Sequence, residues 1–282
     1  MTAVMLDGKA ISAKVKENVK AEIADFIEKT GKSVTLAVIR VGDNPASEIY
    51  VRNKIRACEA VGIRSLSITL PGETTENEVL DKIQSLAADK SVNGILVQLP
   101  LPAHINENKI LLAIPKEKDV DGFHPENVGD LVLGNPAITA CTPSGVIEMI
   151  ASTGISLCGK HAVVLGRSNI VGKPMALLLL QQNATVTVCH SKTQNLSEIT
   201  AQADVLIAAI GKPNFVKKEM VKQGAIVVDV GINRTENGIV GDVDPAVQEV
   251  ASYLSPVPGG VGPMTIAMLM KNTLIAARRQ CE

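Results

Sequence analysis

The sequence predicts an α/β protein of two lobes, and three observations carry that expectation. The chain has 282 residues, 46% hydrophobic and 20% charged, a globular composition with room for two ordinary domains. Short apolar runs alternate with amphipathic stretches along most of its length, the pattern of strands and crossover helices in a parallel sheet. The stretch His161 to Leu180, HAVVLGRSNIVGKPMALLLL, holds a strand, a tight glycine turn and a helix start, as the opening unit of a Rossmann-like dinucleotide domain does.

Taken in order, a helix is expected from Ala10 to Lys29, where Ile11, Val15, Val19, Ile23 and Ile27 recur every four residues before Gly31 stops it. Val34 to Val41 reads as a strand. Asn44 then suits an N-cap, and Pro45 the first position of a helix to about Val61. A strand at Leu66 to Leu70 leads to Thr75, whose capping box with Glu78 starts a helix to about Ala88. Gly94 to Gln98 is a third strand, followed by Leu99-Pro100-Leu101-Pro102, a short helix around Glu107 to Ala113, and an acidic loop from Lys118 to Pro125. Gly134 to Pro143 lacks periodicity and marks the boundary, so residues 1–140 are read as a first domain and 141–263 as a second. A helix through Val146 to Ala151 enters the second, whose strands lie near 162–165, 185–189, 204–209 and 225–230. After the Pro/Gly run at 256–263, an amphipathic segment from Met264 to Arg279 is expected to pack back on the first lobe.

Composition narrows the function. A net charge of -1 and a pI near 6.5 supply no electrostatic footprint for nucleic acid or an anionic membrane, which favours a small-molecule substrate. Asp7 interrupts the N-terminal region where a secretory signal needs an apolar core, and the longest apolar run, Met175 to Leu180, is too short for a bilayer. The expected location is the cytoplasm. Five cysteines with no C-x-x-C pair, and four histidines without ligand spacing, suggest neither a disulfide framework nor a metal site.

The turn after Leu165 is read either as an ordinary strand-helix connection or as a phosphate site, where free N–H groups and a helix dipole converge. Ser168 takes the middle glycine position of G-x-G-x-x-G. The following strand ends in His190-Ser191-Lys192, with no acid to hold a free ribose. Arg167, Ser191 and Lys192 together suit a 2′-phosphate, which points to NADP. In the first lobe Ser47, Tyr50 and Lys54 share a helix face that is either a solvated stripe or a site, and a partly desolvated Lys suits acid-base work. Gln98 is either exposed in its loop or a neutral hydrogen-bonding partner. Asp121 lies in a D-V-D-G loop that lacks the later ligands of a calcium site. The glycines at 259, 260 and 262 serve either a flexible loop or close backbone approach to a flat ligand.

Six motifs together resemble the bifunctional methylenetetrahydrofolate dehydrogenase/cyclohydrolase family over nearly the full length. They are D-N-P-A-S-E-I-Y-V-R-N-K (43–54), V-Q-L-P-L-P (97–102), D-V-D-G-F-H-P-E-N-V-G (119–129), C-T-P-S-G (141–145), G-R-S-N-I-V-G-K-P (166–174) and P-G-G-V-G-P-M-T (258–265). The resemblance implies an N-terminal α/β substrate domain, a Rossmann-like NADP-binding domain and a folate cleft between them. It implies oxidation of 5,10-methylenetetrahydrofolate by NADP to the methenyl form and hydrolysis to 10-formyltetrahydrofolate, within one-carbon metabolism and purine biosynthesis. It further implies that Lys54 is the acid-base residue, that Gln98 tunes it, that Tyr50 packs on the ligand and that Asp121 hydrogen-bonds the pterin. Val97, Gln98 and Leu99 with Pro258, Gly259, Gly260, Val261 and Gly262 would frame the folate; Gly166, Arg167, Ser168, Ser191 and Ile232 match cofactor positions. No metal is implied, and a homodimer is. The one departure is Ala140, where the family pattern has Pro. Two other classes remain open: a different NADP dehydrogenase, and a non-catalytic dinucleotide sensor.

Overall fold

A computed structural model describes residues 2–236 and 238–281, without the side chains of residues 45 and 46. In chain order it runs β1 (Val4–Met5), α1 (Gly8–Thr30), β2 (Thr35–Val41), α2 (Pro45–Val61), β3 (Arg64–Leu70), α3 (Glu76–Ala88), β4 (Gly94–Val97), α4 (Glu107–Leu112), α5 (Pro125–Val132) and α6 (Cys141–Ala151). It continues β5 (His161–Leu165), α7 (Gly172–Gln181), β6 (Thr185–Cys189), α8 (Leu196–Thr200), β7 (Val205–Ala208), β8 (Ile226–Asp229), β9 (Asn233–Thr235), β10 (Gly238–Val240), β11 (Tyr253–Leu254) and α9 (Val261–Arg279). The chain divides into two compact units, one of Lys14–Cys141 with Ile266–Glu282 and the other of Met1–Ala13 with Thr142–Thr265.

The first unit is built on a parallel sheet in the order β3-β2-β4. A bridge between Ile95 and Asp119 extends it by one more short pairing. Side chains alternate across β2, so Leu36 and Val38 join Val19, Ile23, Cys58 and Leu274 in one core, while Ala37 and Ile39 join Val79, Ile83 and Ile110 in another. A central strand covered on both faces is apolar along its middle, which is why Leu36 to Ile39 reads as a continuous run. The expected capping box is present: Thr75 Oγ1 accepts from Glu78 N, and Glu78 accepts from Thr75 N.

One detail of the first helix differs from its sequence pattern. Ile27 is 38% exposed, and Phe26 is buried in its place. A four-residue step advances a helical position by about 40° beyond one full turn, so a strict i+4 series winds off the buried face within four steps.

The other end of α3 is held by a buried lysine. Lys118 Nζ donates to the carbonyls of Leu86, Ala87 and Asp89 at 3.1, 2.9 and 2.7 Å, satisfying C-terminal acceptors that the helix leaves open. Its burial lowers the ammonium's pKa. Lys118→Met is therefore expected to cost about 2 kcal/mol or more, since the orphaned carbonyls lose a charged donor. A urea midpoint unchanged from wild type would contradict this.

The second unit carries an all-parallel sheet in the order β1-β11-β8-β7-β5-β6, with a separate antiparallel pair of β9 and β10. Strands β5, β7 and β8 are almost wholly buried, as interior strands of a doubly wound sheet are, and β6 is the more exposed edge. The assignment of all of residues 1–140 to the first domain needs correction at its start. Val4 and Met5 pair with Tyr253 and Leu254, so the N-terminal strand completes the second unit's sheet.

Candidate active site and cofactor site

In the first unit the candidate residues gather beyond the C-terminal ends of the parallel strands, where open α/β sheets bind ligands. Helix α2 follows β2 and carries Tyr50 and Lys54 one turn apart; Tyr50 is 38% exposed, Lys54 half-buried and Ser47 buried beneath them. Gln98 comes directly after β4 and prolongs its ladder by donating its N–H to Ile39 O at 2.8 Å. Lys54 Nζ donates to Gln98 Oε1 at 3.0 Å, and Gln98 Nε2 donates to Leu99 O at 2.7 Å. The two contacts settle the amide's orientation chemically, because an ammonium only donates and a carbonyl only accepts. Gln98 is thus half-buried and hydrogen-bonded through both atoms of its amide. Val97 is buried, Leu99 is half-buried, and the Leu99–Pro100 bond is cis.

The two aspartates of the D-V-D-G loop have different environments. Asp119 is buried and accepts from Gly122 N at 3.1 Å, His124 N at 2.8 Å and Asn127 Nδ2 at 2.9 Å, so its carboxylate shapes the loop. Gly122 has φ +75°, and a Cβ there would lie 2.5 Å from the Thr139 carbonyl carbon. Burial pushes the Asp121 carboxyl up from the ordinary 3.8 to about 6, against the pull of the nearby Lys54 ammonium and with a further push from Asp119. Lys54, Gln98 and Asp121 are thus brought together, the first two by a bond and the third by charge. His124 caps α5 through Nδ1, which accepts from Glu126 N at 3.2 Å. The sequence pattern assigns no element to this helix's residues after Pro125.

Two residues beside this site were not identified from the sequence. Cys141 is buried, and burial, followed by the charge of Asp121, holds its thiol well above the usual range, making it an inert sulfur. Asn272 on α9 sets Nδ2 at 2.9 Å from Val120 O, 2.9 Å from Thr139 O and 3.4 Å from Cys141 Sγ, tying the loop to the C-terminal helix of the same unit. The available signal was an Asn-Thr pair inside an otherwise apolar stretch, since a buried amide in a helix needs partners.

In the second unit the G-R-S-N-I-V-G turn leaves β5 at the point where the strand order reverses, with β6 on one side and β7 on the other. Gly166 has φ +124°, and a Cβ there would overlap Ala209 O; one at Gly172 would overlap Gly166 O. The expectation of free N–H groups at the helix mouth requires correction. Ser168 Oγ accepts from Val171 N at 3.2 Å and Gly172 N at 3.3 Å, and Ser168 O accepts from Lys173 N at 3.0 Å. Ser168 therefore braces the turn ahead of α7, a role its hydroxyl fills where a glycine would not.

Leu165 pairs with Cys189, so Arg167 and Ser191 each stand two residues beyond paired positions on adjacent strands. Both are exposed, as is Lys192; His190 N donates to Thr193 Oγ1 at 2.9 Å, which orders the loop. The close-packed Gly166 turn and the absence of an acid at 190–192 fit a phosphorylated dinucleotide. Ile232 is 48% exposed just past β8.

The Pro258 to Gly262 segment follows β11 in this unit, and its glycines divide by role. A Cβ at Gly260 would lie 2.5 Å from Pro256 O, and one at Gly8 would overlap Gly260 O, so the close backbone approach here is to the chain itself. Gly259 has φ +106°, while Val261 and Gly262 already belong to α9, with open space beside Gly262.

The profile described as "Tetrahydrofolate dehydrogenase/cyclohydrolase, catalytic domain" matches residues 6–121, and the one described as "Tetrahydrofolate dehydrogenase/cyclohydrolase, NAD(P)-binding domain" matches residues 140–281. The bifunctional protein FolD of Campylobacter hominis is 60% identical over 280 residues, which cover 99% of this chain and 98% of the relative. The crystal structure of the bifunctional enzyme FolD from Campylobacter jejuni superposes with a TM-score of 0.95 at 55% identity, covering 98% of this chain and 99% of that one. The Trypanosoma brucei methylenetetrahydrofolate dehydrogenase-cyclohydrolase, complexed with NADP and an inhibitor, gives 0.95 at 39% identity, covering 100% and 99%. The chain belongs to the tetrahydrofolate dehydrogenase/cyclohydrolase family.

Proposed function

We propose that Lys54 is the acid-base centre of the hydrolytic activity of this chain, supported by Gln98 and Asp121, with Tyr50 as the surface on which the folate ring packs. The protein is a bifunctional folate enzyme, oxidising 5,10-methylenetetrahydrofolate to the methenyl cation with NADP and hydrolysing that cation to 10-formyltetrahydrofolate. The observation that carries the assignment of roles is the 3.0 Å bond from Lys54 Nζ to Gln98 Oε1, with the Asp121 carboxyl within charge reach. NADP, when bound, supplies the hydride acceptor, and Arg167, Ser168 and Ser191 with the Gly166 turn and Ile232 are the residues proposed to hold it.

The first reaction moves a hydride from the methylene carbon and releases no proton, so the protein's task there is alignment. In the second, water adds to the methenyl carbon and loses a proton, leaving a neutral hydroxylated carbon; that hydroxyl then loses its proton as the formyl C=O forms, and one carbon-nitrogen bond of the ring opens as its nitrogen gains a proton. Lys54 in its amine form takes the proton of the attacking water and returns a proton to the departing nitrogen; one proton is released overall. Gln98 holds the amine toward the substrate. Assaying the two steps separately tests the division: both should be present, and an enzyme with hydride transfer alone would contradict it.

Asp121 in its ionised form accepts a hydrogen bond from the pterin in this reading. An acid whose pKa is raised to about 6 is ionised above that value and protonated below it. The KM for the methylene substrate should therefore rise as pH falls through about 6, and Asp121→Asn should remove that inflection. A variant with the wild-type profile would assign the titration to another group.

We also propose a homodimer in the cytoplasm. The dimer reading rests on the family resemblance and on β6, an edge strand paired only with β5. The location rests on five free cysteines, together with the lack, among the described residues, of any helix long and apolar enough to cross a membrane. Sedimentation at micromolar concentration should show the dimer; a monomer there would overturn it.

A further inference from the structure

Two buried carboxylates in the second unit have no part in the chemistry described above, yet they organise the loops that follow β7 and β8. Asp242 is fully buried, and its Oδ2 accepts from Ile210 N at 2.7 Å and Gly211 N at 3.0 Å, while Oδ1 accepts from Lys212 N at 2.8 Å and Asn233 Nδ2 at 2.9 Å. Asp229, the last residue of β8, accepts from Asp242 N and Gly231 N through Oδ1 at 2.9 Å each, and from Val243 N through Oδ2 at 2.8 Å. The backbone is shaped to admit them: a Cβ at Gly231 would overlap the Asp242 carboxylate, and one at Gly241 would overlap that of Asp229.

These bonds form a chain of support. Asp229 grips the strand return that carries Asp242, and Asp242 gathers three successive N–H groups of the 210–212 loop and the side chain of Asn233. Ala209, the residue directly before that loop, abuts the phosphate-side turn, because its carbonyl oxygen occupies the space where a Gly166 side chain would sit. Ile232, a proposed cofactor contact, lies between Gly231 and Asn233, both of which these carboxylates hold.

We infer that Asp242 is a positioning residue for the cofactor site, fixing the 210–212 loop and Ile232 against the Gly166 turn, with Asp229 holding Asp242 in place. The inference rests on the proposed location of that cofactor site. Ionised aspartate is suited to the task because both oxygens face donors. An amide in its place would turn two of the four acceptor contacts into donor-donor pairs.

The test uses the full-length enzyme and three variants, Asp242→Asn, Asn233→Ala and Arg167→Ala. Asp242→Asn should raise the KM for NADP by about 10- to 100-fold while kcat at saturating NADP and methenyl hydrolysis without NADP stay within about threefold, because loop order is recovered once the ligand is bound. A merely structural role would lower both activities together without this split. If Asp242→Asn does not fold, Asn233→Ala, which removes only the side-chain donor, decides: a severalfold rise in KM for NADP with unchanged hydrolysis supports the proposal, and an unchanged KM overturns it. Wild-type KM in Asp242→Asn with a raised KM in Arg167→Ala would overturn the positioning role and leave the cofactor site standing. Wild-type KM in both would overturn the cofactor site, and the inference with it.

Discussion

Replacing Lys54 by Met is expected to lower hydrolysis of 5,10-methenyltetrahydrofolate by about 10² to 10⁴, the contribution a well-placed general base makes. The attacking water must lose a proton, and the first unit supplies few groups able to take it. His124 has its Nδ1 engaged as a helix cap, Asp119 is saturated by three donors, and the Cys141 thiol is buried with its pKa held high. Asp121 remains, and it is assigned to the pterin. Methionine keeps the length of the side chain and removes the amine, so the substitution tests the chemistry more than the packing. Hydride transfer depends mainly on alignment and should survive in part. NADP affinity should be unchanged, because its proposed residues belong to the other compact unit. Measuring both half-reactions and NADP binding in one preparation checks all three; near-normal hydrolysis would remove Lys54 from the mechanism.

Arg167→Ala should lower kcat/KM with NADP by at least about tenfold and leave the value with NAD nearly unaltered, since a charge-assisted contact to phosphate contributes about 1.5 to 3 kcal/mol. The register of β5 against β6 sets Arg167 and Ser191 each two residues beyond a paired position, and a 2′-phosphate held by both would receive a guanidinium fork and a hydroxyl. Wild-type enzyme should accordingly prefer NADP to NAD by a similar factor. An equal loss with both cofactors would mean that Arg167 holds the pyrophosphate instead.

What was legible in the sequence was local. The helix from Pro45, the capping box at Thr75 and the buried strands of both sheets announce themselves through proline, caps and periodicity, and their observed limits fall within a few residues of expectation. Tyr50, Lys54, Gln98 and Asp121 stood out as chemistry in motifs. The contact between Lys54 and Gln98 was implied by the family resemblance alone, because 44 residues separate them and the β2-β4 pairing is what brings them together. The strands β1 and β11 are two residues each, too short for any periodic signal, and they exist because each satisfies the other's backbone. Helix α5 was hidden by the acidic residues before it, although His124 and Pro125 are a sound cap and first position. Asp242 looks like one more loop carboxylate in G-D-V-D, and its meaning lies in N–H groups some thirty residues away.

The most direct test of the account is methenyl hydrolysis by Lys54→Arg. Arginine keeps a positive charge beside Asp121 and donors for Gln98, but its guanidinium does not give up its proton in a protein. If Lys54 works by moving a proton, Lys54→Arg should hydrolyse the methenyl substrate as poorly as Lys54→Met, about 10² to 10⁴ below wild type. Hydrolysis by Lys54→Arg near the wild-type rate would show that charge alone suffices, and would contradict the acid-base role of Lys54.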